Sequence, residues 1–506
     1  MQPAARPLGL AAVPERRVRS AASDAALLTL ASYGAQGLLF VAGLVQKGIL
    51  GPVGTGFWSL MQTFWVLLTI APLGTLHGSS RQIPIRRGKR DFAGAGAVAA
   101  TGSSFSLLAI GAAGLFAAVA ALVLGDAWAP ELRWGVVLLG LTAPLRLLCD
   151  CHVVILQATK RFGVAALSTL LEAAALLTAG TALVWLLGFY GMFAATVIAN
   201  LALLALWTRQ GLTGLRRPAF RLGVDRRLVR ELMTFGAPIM IQGQIWLLFL
   251  SVDNLIVAGF LGVRQLGYYA LAVSVTSYIL ILPRSIGAAL FPRMAERFAA
   301  SEDVASIRHY ATDAQRLLAY LFVPVFAGMA FFGVPLLIRY ALPEFEPAIG
   351  AVRIMVAGSF VVALMNMPSK LLITAGYRWP LVAVMVGCLA VNAGANALAV
   401  GPLDGGIEGA AAATSASYAF TFVVLTTFAL SRIDPLGVVA RHVGDLLAVF
   451  GYSMGMLWAT EAVAGTAGLA AYLVALIPLA WRAQARDETL TTVWSVVRRA
   501  RKGDRA

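Results

Sequence analysis

The chain has 506 residues, 59% hydrophobic and 13% charged, with a mean hydropathy of +0.80. That is too apolar for a soluble protein and too long for one small helical bundle, so the composition describes a polytopic, all-α membrane protein. A net charge of +16 raises nucleic acid as a partner, and the placement of the basic residues decides whether that reading holds.

The first segment, Met1 to Ser23, is polar, contains proline and is basic. The apolar stretch after it is too long for a signal-peptide core, so an uncleaved anchor is expected. Stretches long enough to cross about 30 Å of hydrocarbon follow in order. They lie at Ala25 to Gln46, Thr55 to Leu76, Ala93 to Leu124, Trp134 to Leu156, Gly163 to Leu186, Gly191 to Trp207 and Thr234 to Leu261. A second set lies at Leu266 to Phe291, Leu317 to Leu337, Ile349 to Leu372, Leu381 to Val400, Gly409 to Leu430, Leu446 to Ala462 and Ala467 to Trp481. This gives about fourteen transmembrane helices.

Threaded through those spans, the basic residues fall on one side. That side takes Arg16, Arg17 and Arg19, the run from Arg81 to Arg90, Lys160 and Arg161, the set from Arg209 to Arg230, then Arg293, Arg297, Arg308, Arg316, Arg432, Arg441 and the tail cluster Arg498 to Lys502. The other side holds little beyond Lys47, Arg133, Arg264 and Arg339. The positive-inside rule therefore puts both termini in the cytoplasm, and the charge is topological, with no nucleic-acid partner expected. Cys149, Cys151 and Cys388 all lie inside spans, so no extracellular disulfide framework is available. Cys149, Cys151 and His152 read as packing residues, because positions two apart on a helix point to nearly opposite faces. No metal site is expected.

The chain also repeats itself. "KGILGPVGTGFWSL" from Lys47 is matched about 210 residues later by "AGFLGVRQLGYYAL" from Ala258, so that Gly48, Leu50, Gly51, Gly56 and Leu60 return as Gly259, Leu261, Gly262, Gly267 and Leu271. Pro72 returns as Pro283 in the same register. "GFYGMFAAT" from Gly188 returns as "GIEGAAAAT" from Gly406. The repeated glycines stand where one span turns into the next, which predicts tight turns and close helix approach. Two sets of about six spans, repeated in parallel, predict two pseudo-symmetric lobes suited to alternating access. The expected divisions are a segment over 1–24, a first lobe over 25–220, a second over 221–440, two appended helices over 441–482 and a basic tail over 483–506.

"DNLIVAGFLGVRQLGYYALA" from Asp253, "LFPRMAERF" from Leu290, "LQATKRF" from Leu156 and the paired glycine stretches resemble the polysaccharide flippases of the multidrug/oligosaccharidyl-lipid/polysaccharide (MOP) exporter superfamily. The resemblance implies translocation of an undecaprenyl-diphosphate-linked oligosaccharide between leaflets of a bacterial inner membrane, for O-antigen, capsule or exopolysaccharide assembly. It implies a proton or sodium gradient in place of a cofactor, membrane lipids as surroundings, and a polysaccharide polymerase and chain-length regulator as candidate partners. A lipid II flippase fits less well, since Tyr33 to Leu44 contains no basic residue. An ion-coupled multidrug exporter of the same superfamily is the alternative.

Charges inside spans need a partner or water, which selects the candidate residues. Arg146 and Asp150 lie one turn apart and either pair with each other or present Arg146 as a cavity cation for a diphosphate. Glu172, with no counter-ion nearby in sequence, is a candidate proton carrier or a partner in a helix–helix hydrogen bond. Gln242, Trp246 and Asp253 project onto one stripe of a continuous helix. There Trp246 stacks on a sugar or fills space, and Asp253 carries a proton or caps an interface. Arg353 and Lys370 are further substrate-binding candidates, unless they snorkel to the interfaces. Asn392 and Asn396, also one turn apart, are expected to bond between helices. In the tail, Leu490, Val493, Trp494 and Val497 form an apolar stripe beside basic residues, as in a helix lying on an anionic leaflet. A membrane polymerase or ligase would need a sizeable outer loop bearing acid, base or cationic groups, and the outer segments are short.

Overall fold

The computed structural model describes residues 15–159, 161–209, 224–464 and 468–479, and these contain no strand. The helices, in order, are α1 (Glu15–Leu68), α2 (Thr75–Gly88), α3 (Phe92–Leu124), α4 (Pro130–Ala158), α5 (Phe162–Ala175), α6 (Thr181–Leu187), α7 (Gly191–Arg209), α8 (Arg226–Phe249), α9 (Val252–Leu261) and α10 (Val263–Ile279). They continue as α11 (Ile281–Ser301), α12 (Arg308–Leu317), α13 (Val323–Ala341), α14 (Ile349–Leu364), α15 (Asn366–Thr374), α16 (Arg378–Val400), α17 (Gly406–Leu430), α18 (Leu436–Ala464) and α19 (Gly468–Ala475). The tail stripe from Leu490 to Val497 lies outside the described residues.

Among the described residues, 11 helical stretches are long and apolar enough to cross a membrane. Two run through a glycine at positive φ: Ala31–Leu68, of 38 residues, and Phe162–Thr208, of 47. At about 1.5 Å per residue they would run to roughly 55 and 70 Å, far beyond the hydrocarbon thickness. Each is interrupted by a repeated glycine at positive φ, Gly51 (φ 64, ψ −176) in the first and Gly188 (φ 56, ψ −134) in the second. Each therefore accounts for two of the expected spans. A shorter apolar helix, Gly468–Leu479, falls where the last expected span begins.

The repeat is visible in the backbone itself. Gly262 (φ 84, ψ 172) reproduces the conformation of Gly51, and Gly406 (φ 58) shares the positive φ of Gly188. Side chains with a Cβ rarely adopt this region, which is why the sequence keeps glycine at these turns in both halves.

Packing divides the chain into two units that do not coincide with the two repeats. One unit comprises residues up to Gln46, Ala71–Trp128 and Val136–Ala237. In it, α3 and α4 cross at Gly114 and Gly140, where a Cβ on either residue would sit 2.4 and 2.2 Å from the other's carbonyl oxygen. Small residues allow that close approach where lipid supplies no hydrophobic drive between helices. A π-helical turn at Leu176–Gly180 breaks the regular ladder, and the Gln46 side-chain amide donates to the Leu176 carbonyl at 2.9 Å.

The other unit comprises Lys47–Ile70, Ala129–Gly135 and the chain from Pro238 onward. Its most symmetrical feature joins the two copies of the repeated turn. A Cβ at Gly56 would lie 2.0 Å from the Val263 carbonyl oxygen, and one at Gly267 would lie 1.7 Å from that of Pro52. Gly56 corresponds to Gly267 and Pro52 to Val263, so one contact is the image of the other about a local two-fold axis.

Polar contacts fasten α18 and α19 to the same unit. Arg353 pairs with Glu461 and lies 5.1 Å over the Phe331 ring. Tyr320 donates to Asp445 at 2.6 Å, the His442 ring pairs with the Gln315 side chain at 3.0 Å, and Arg308 pairs with Asp434. Tyr472 donates to the Pro324 carbonyl at 3.1 Å.

Candidate ion-coupling and substrate site

The helix that begins with α8 does not run straight into α9. It breaks at Leu250 and Ser251, where Ser251 (φ −140, ψ −5) leaves helical geometry and the chain restarts at Val252. The projection that put Gln242, Trp246 and Asp253 on one stripe assumed an unbroken helix, and the break overturns it. Gln242 and Trp246 are half-buried, with Trp246 6.1 Å from the Phe249 ring and Phe249 5.3 Å from that of Tyr418. Asp253 turns away into the interior.

There Asp253 meets side chains from two further helices, and a third joins through them. Tyr269 of α10 donates to its Oδ2, as does Thr414 of α17 at 3.4 Å, and the Asn254 backbone N–H donates to its Oδ1 at 3.0 Å. Asn396 of α16 donates to Thr414 at 2.9 Å and to the Asn392 side-chain oxygen at 2.6 Å. Asn392 in turn donates to the Phe249 carbonyl at 3.0 Å, closing the chain of bonds at the end of α8. Asp253, Tyr269, Asn392, Asn396 and Thr414 are each 0% exposed. Among the described residues no lysine or arginine makes an ion pair with Asp253.

A carboxylate buried in apolar spans with only neutral donors is costly unless something balances its charge. The ring supplies oxygen atoms from Asp253, Tyr269, Thr414, Asn392 and Asn396, the hard donor set that suits a proton or a small cation. The first repeat lacks this chemistry, because Ala42 and Trp58 occupy the registers of Asp253 and Tyr269. Sequence reasoning missed Tyr269 and Thr414, although both stand inside the repeated stretches. It took those stretches as turn structure, and the signal available was the replacement of Ala42 by Asp253 at matched register.

The other unit carries a second charged group. Arg146 and Asp150 on α4 and Glu172 on α5 are electrostatic neighbours, with the Arg146 charge acting on both carboxylates. Glu172 has no counter-ion nearby in sequence, and the Arg146 charge that acts on it comes from the preceding helix. Asp150 and Glu172 are exposed and Arg146 is half-buried, all within otherwise apolar spans. Charges so placed need water rather than lipid beside them. The second repeat has Leu364, Pro368 and Ala390 at the corresponding registers, so this cluster too belongs to one repeat alone.

The remaining candidates divide. Arg353 is committed to Glu461 and holds α18, which corrects its assignment as a free substrate cation. Arg353→Ala should lower the unfolding free energy by about 1–3 kcal/mol, by leaving Glu461 half-buried without its partner, and should leave transport per folded molecule unchanged. Thermal denaturation of the purified variant beside its flux measures both. Lys370 is half-buried with its ammonium 5.1 Å over the Phe291 ring, and Asn366, one turn before it, has a buried side-chain oxygen with no hydrogen bond. Cys149 lies 3.6 Å from the Asn200 carbonyl oxygen, and His152 stacks on Trp207 at 5.0 Å.

Together the helical fold, its duplicated turns and the charged groups held within apolar spans define a polytopic, all-helical membrane protein. Residues 101–342 match the family model described as "Polysaccharide biosynthesis protein". The fold is similar to an inward-facing multidrug resistance MATE family transporter of the MOP superfamily, with a TM-score of 0.67 at 14% identity over 80% of this chain and 96% of that one. An outward-facing structure of such a transporter matches with a TM-score of 0.58 at 14% identity, over 83% and 96% of the two chains. A MATE structure in complex with MaL6 matches with a TM-score of 0.58 at 14% identity, over 83% and 97%. No curated protein is detectably similar in sequence. The expected resemblance thus finds a polysaccharide-biosynthesis family match over residues 101–342 and a fold similar to that of MATE transporters.

Proposed function

We propose that the protein is a flippase that carries an undecaprenyl-diphosphate-linked oligosaccharide from the inner to the outer leaflet of a bacterial inner membrane. Both termini lie in the cytoplasm, and the lobes over 25–220 and 221–440 alternate in exposing the substrate. The observation that carries this reading is the family match over 101–342, which takes in both the Arg146–Asp150–Glu172 cluster and Asp253. In this reading Arg146 meets the diphosphate, and Glu172 and Asp150 beside it hold its position and take part in the ion coupling. Asp253 and its ring of oxygens take up the coupling proton or sodium ion. A polymerase and a chain-length regulator receive the product, and no chemistry on the sugar is assigned to this chain.

The test is Arg146→Ala in cells that display the polysaccharide. Surface polysaccharide should fall by about tenfold or more, the loss expected for a charge-assisted contact to phosphate, while the protein level in the membrane is unchanged. Unaltered display would remove Arg146 from the mechanism. In vesicles, Glu172→Gln should weaken the dependence of flux on the imposed gradient, and an undiminished dependence would refute its part in coupling.

A further inference from the structure

The start of α8 carries three arginines that the described residues leave without a carboxylate. Asp225 is spent as a helix cap, its Oδ1 accepting the backbone N–H of Arg227 at 2.8 Å and of Leu228 at 3.4 Å. Glu231, one turn on, accepts from Arg86 at 3.3 Å, and Arg86 also stands 3.7 Å from Asp91. Arg226, Arg227 and Arg230 are exposed and make no ion pair among the described residues. Arg81 of α2 adds a fourth guanidinium beside them, 4.5 Å over the ring of Phe235.

These arginines rim two clefts on the flanks of α8. One, of ≈ 560 Å³, is bounded by Arg226, Arg227, Arg230, Thr234 and Phe235, with Glu231, already paired with Arg86, also on its wall. The other, of ≈ 650 Å³, shares Arg226, Arg230 and Thr234 and has an apolar floor of Phe105, Val229 and Met233. The positive-inside rule accounts for arginines on this side of the membrane, but not for their grouping over an apolar floor. A soluble anion would use only the rim. An amphiphile with a phosphate head uses both rim and floor.

We propose that this face is a docking site for the diphosphate head of the polyprenyl-linked substrate in the inner leaflet, with the first prenyl units laid along Phe105, Val229 and Met233. The inference rests on the flippase reading above and adds to it a site outside the Arg146 cluster. The occupant follows from charge. A phosphodiester headgroup carries one negative charge, whereas a diphosphate diester carries two over more oxygens and can engage several guanidinium forks at once.

The experiment measures binding without transport. The full-length protein in phosphatidylcholine nanodiscs is titrated with undecaprenyl diphosphate, with phosphatidylglycerol and with inorganic pyrophosphate, and bound species are counted by native mass spectrometry. Undecaprenyl diphosphate should bind most tightly, and the Arg226→Ala/Arg227→Ala/Arg230→Ala variant should lose at least about tenfold in affinity for it. Arg432→Ala, whose side chain lies over Tyr377 and Phe428, should not change it. Should the triple variant fold poorly, Arg227→Gln/Arg230→Gln is expected to show the same loss in smaller measure. Unchanged affinity in a folded variant overturns the site. Equal binding and equal loss for phosphatidylglycerol overturns the occupant in favour of a general anionic phospholipid. Pyrophosphate binding as tightly as the lipid removes the floor from the argument. Failure of the flippase reading would appear separately, as intact arginine-dependent binding without translocation.

Discussion

Asp253→Asn should lower gradient-driven flux by about a hundredfold and make the remainder insensitive to the gradient. The substitution keeps the size of the side chain; its one oxygen can still accept from the Asn254 backbone N–H, while its amide group donates to the Tyr269 or Thr414 hydroxyl. What it removes is the charge, and with it the ability to take up and release a cation. A charged hydrogen-bonded site in a low-dielectric interior is worth about 3 kcal/mol, which is about a hundredfold in rate or occupancy. Asp253→Ala is the harsher change, since it leaves buried donors without an acceptor and should also destabilise the fold. The pair of variants separates coupling from structure: flux in vesicles with and without the gradient, read beside a melting curve. Wild-type coupling in Asp253→Asn would mean that the ring is only a buried hydrogen-bond network.

The second large effect is expected at the turn contact. Gly267→Ala would place a Cβ 1.7 Å from the Pro52 carbonyl oxygen, and Gly56→Ala would place one 2.0 Å from that of Val263. Ordinary contact needs roughly 3.5 Å, so the two turns have to part by more than an ångström in either variant. The symmetry of the contact makes both sides equivalent, and the double variant should prevent closure altogether. On the proposed topology and alternating-access cycle these turns face outward, so a molecule unable to close them would be held open to the outside. Thr55, at 4% exposure beside the contact, gives the readout as a cysteine. Thr55→Cys should be protected from a membrane-impermeant maleimide in the parent and labelled in the double variant, with flux reduced by about tenfold or more. Unchanged labelling and flux would show that the turns do not gate.

Much of this was legible in the sequence because membranes simplify it. The backbone must satisfy itself, so hydropathy alone located the helices, and repetition of Gly51 and Gly188 as Gly262 and Gly406 foretold turns that the structure holds at positive φ. The charged residues were also visible, since each stood out against an apolar background. Their partners were not. Glu172 has Arg146 of the preceding helix as an electrostatic neighbour, Arg353 meets Glu461 about 110 residues on, and Asp253 gathers Tyr269 and Thr414 directly and Asn396 through Thr414. Such pairings depend on how helices are arranged, and helical periodicity carries no information on that. The stripe through Gln242, Trp246 and Asp253 failed for a local reason, a break at Leu250 and Ser251 that neither glycine nor proline announces.

The two repeats therefore share a scaffold and divide the chemistry. Accessible charges lie on the first, at Arg146, Asp150 and Glu172, and the enclosed carboxylate lies on the second, at Asp253. The duplicated turns share one backbone conformation, while the charged residues depart from the repeat. In the proposed function Asp253 takes the driving ion and Arg146 the anionic cargo.

The most direct measurement is translocation of a fluorescent undecaprenyl-diphosphate oligosaccharide by the purified protein in liposomes, with a proton or sodium gradient imposed across them. The account predicts net movement toward one leaflet that stops when an ionophore collapses the gradient and is lost in Asp253→Asn. Movement equal in both directions whatever the gradient, or export of a cationic drug with the lipid-linked sugar left in place, would contradict it.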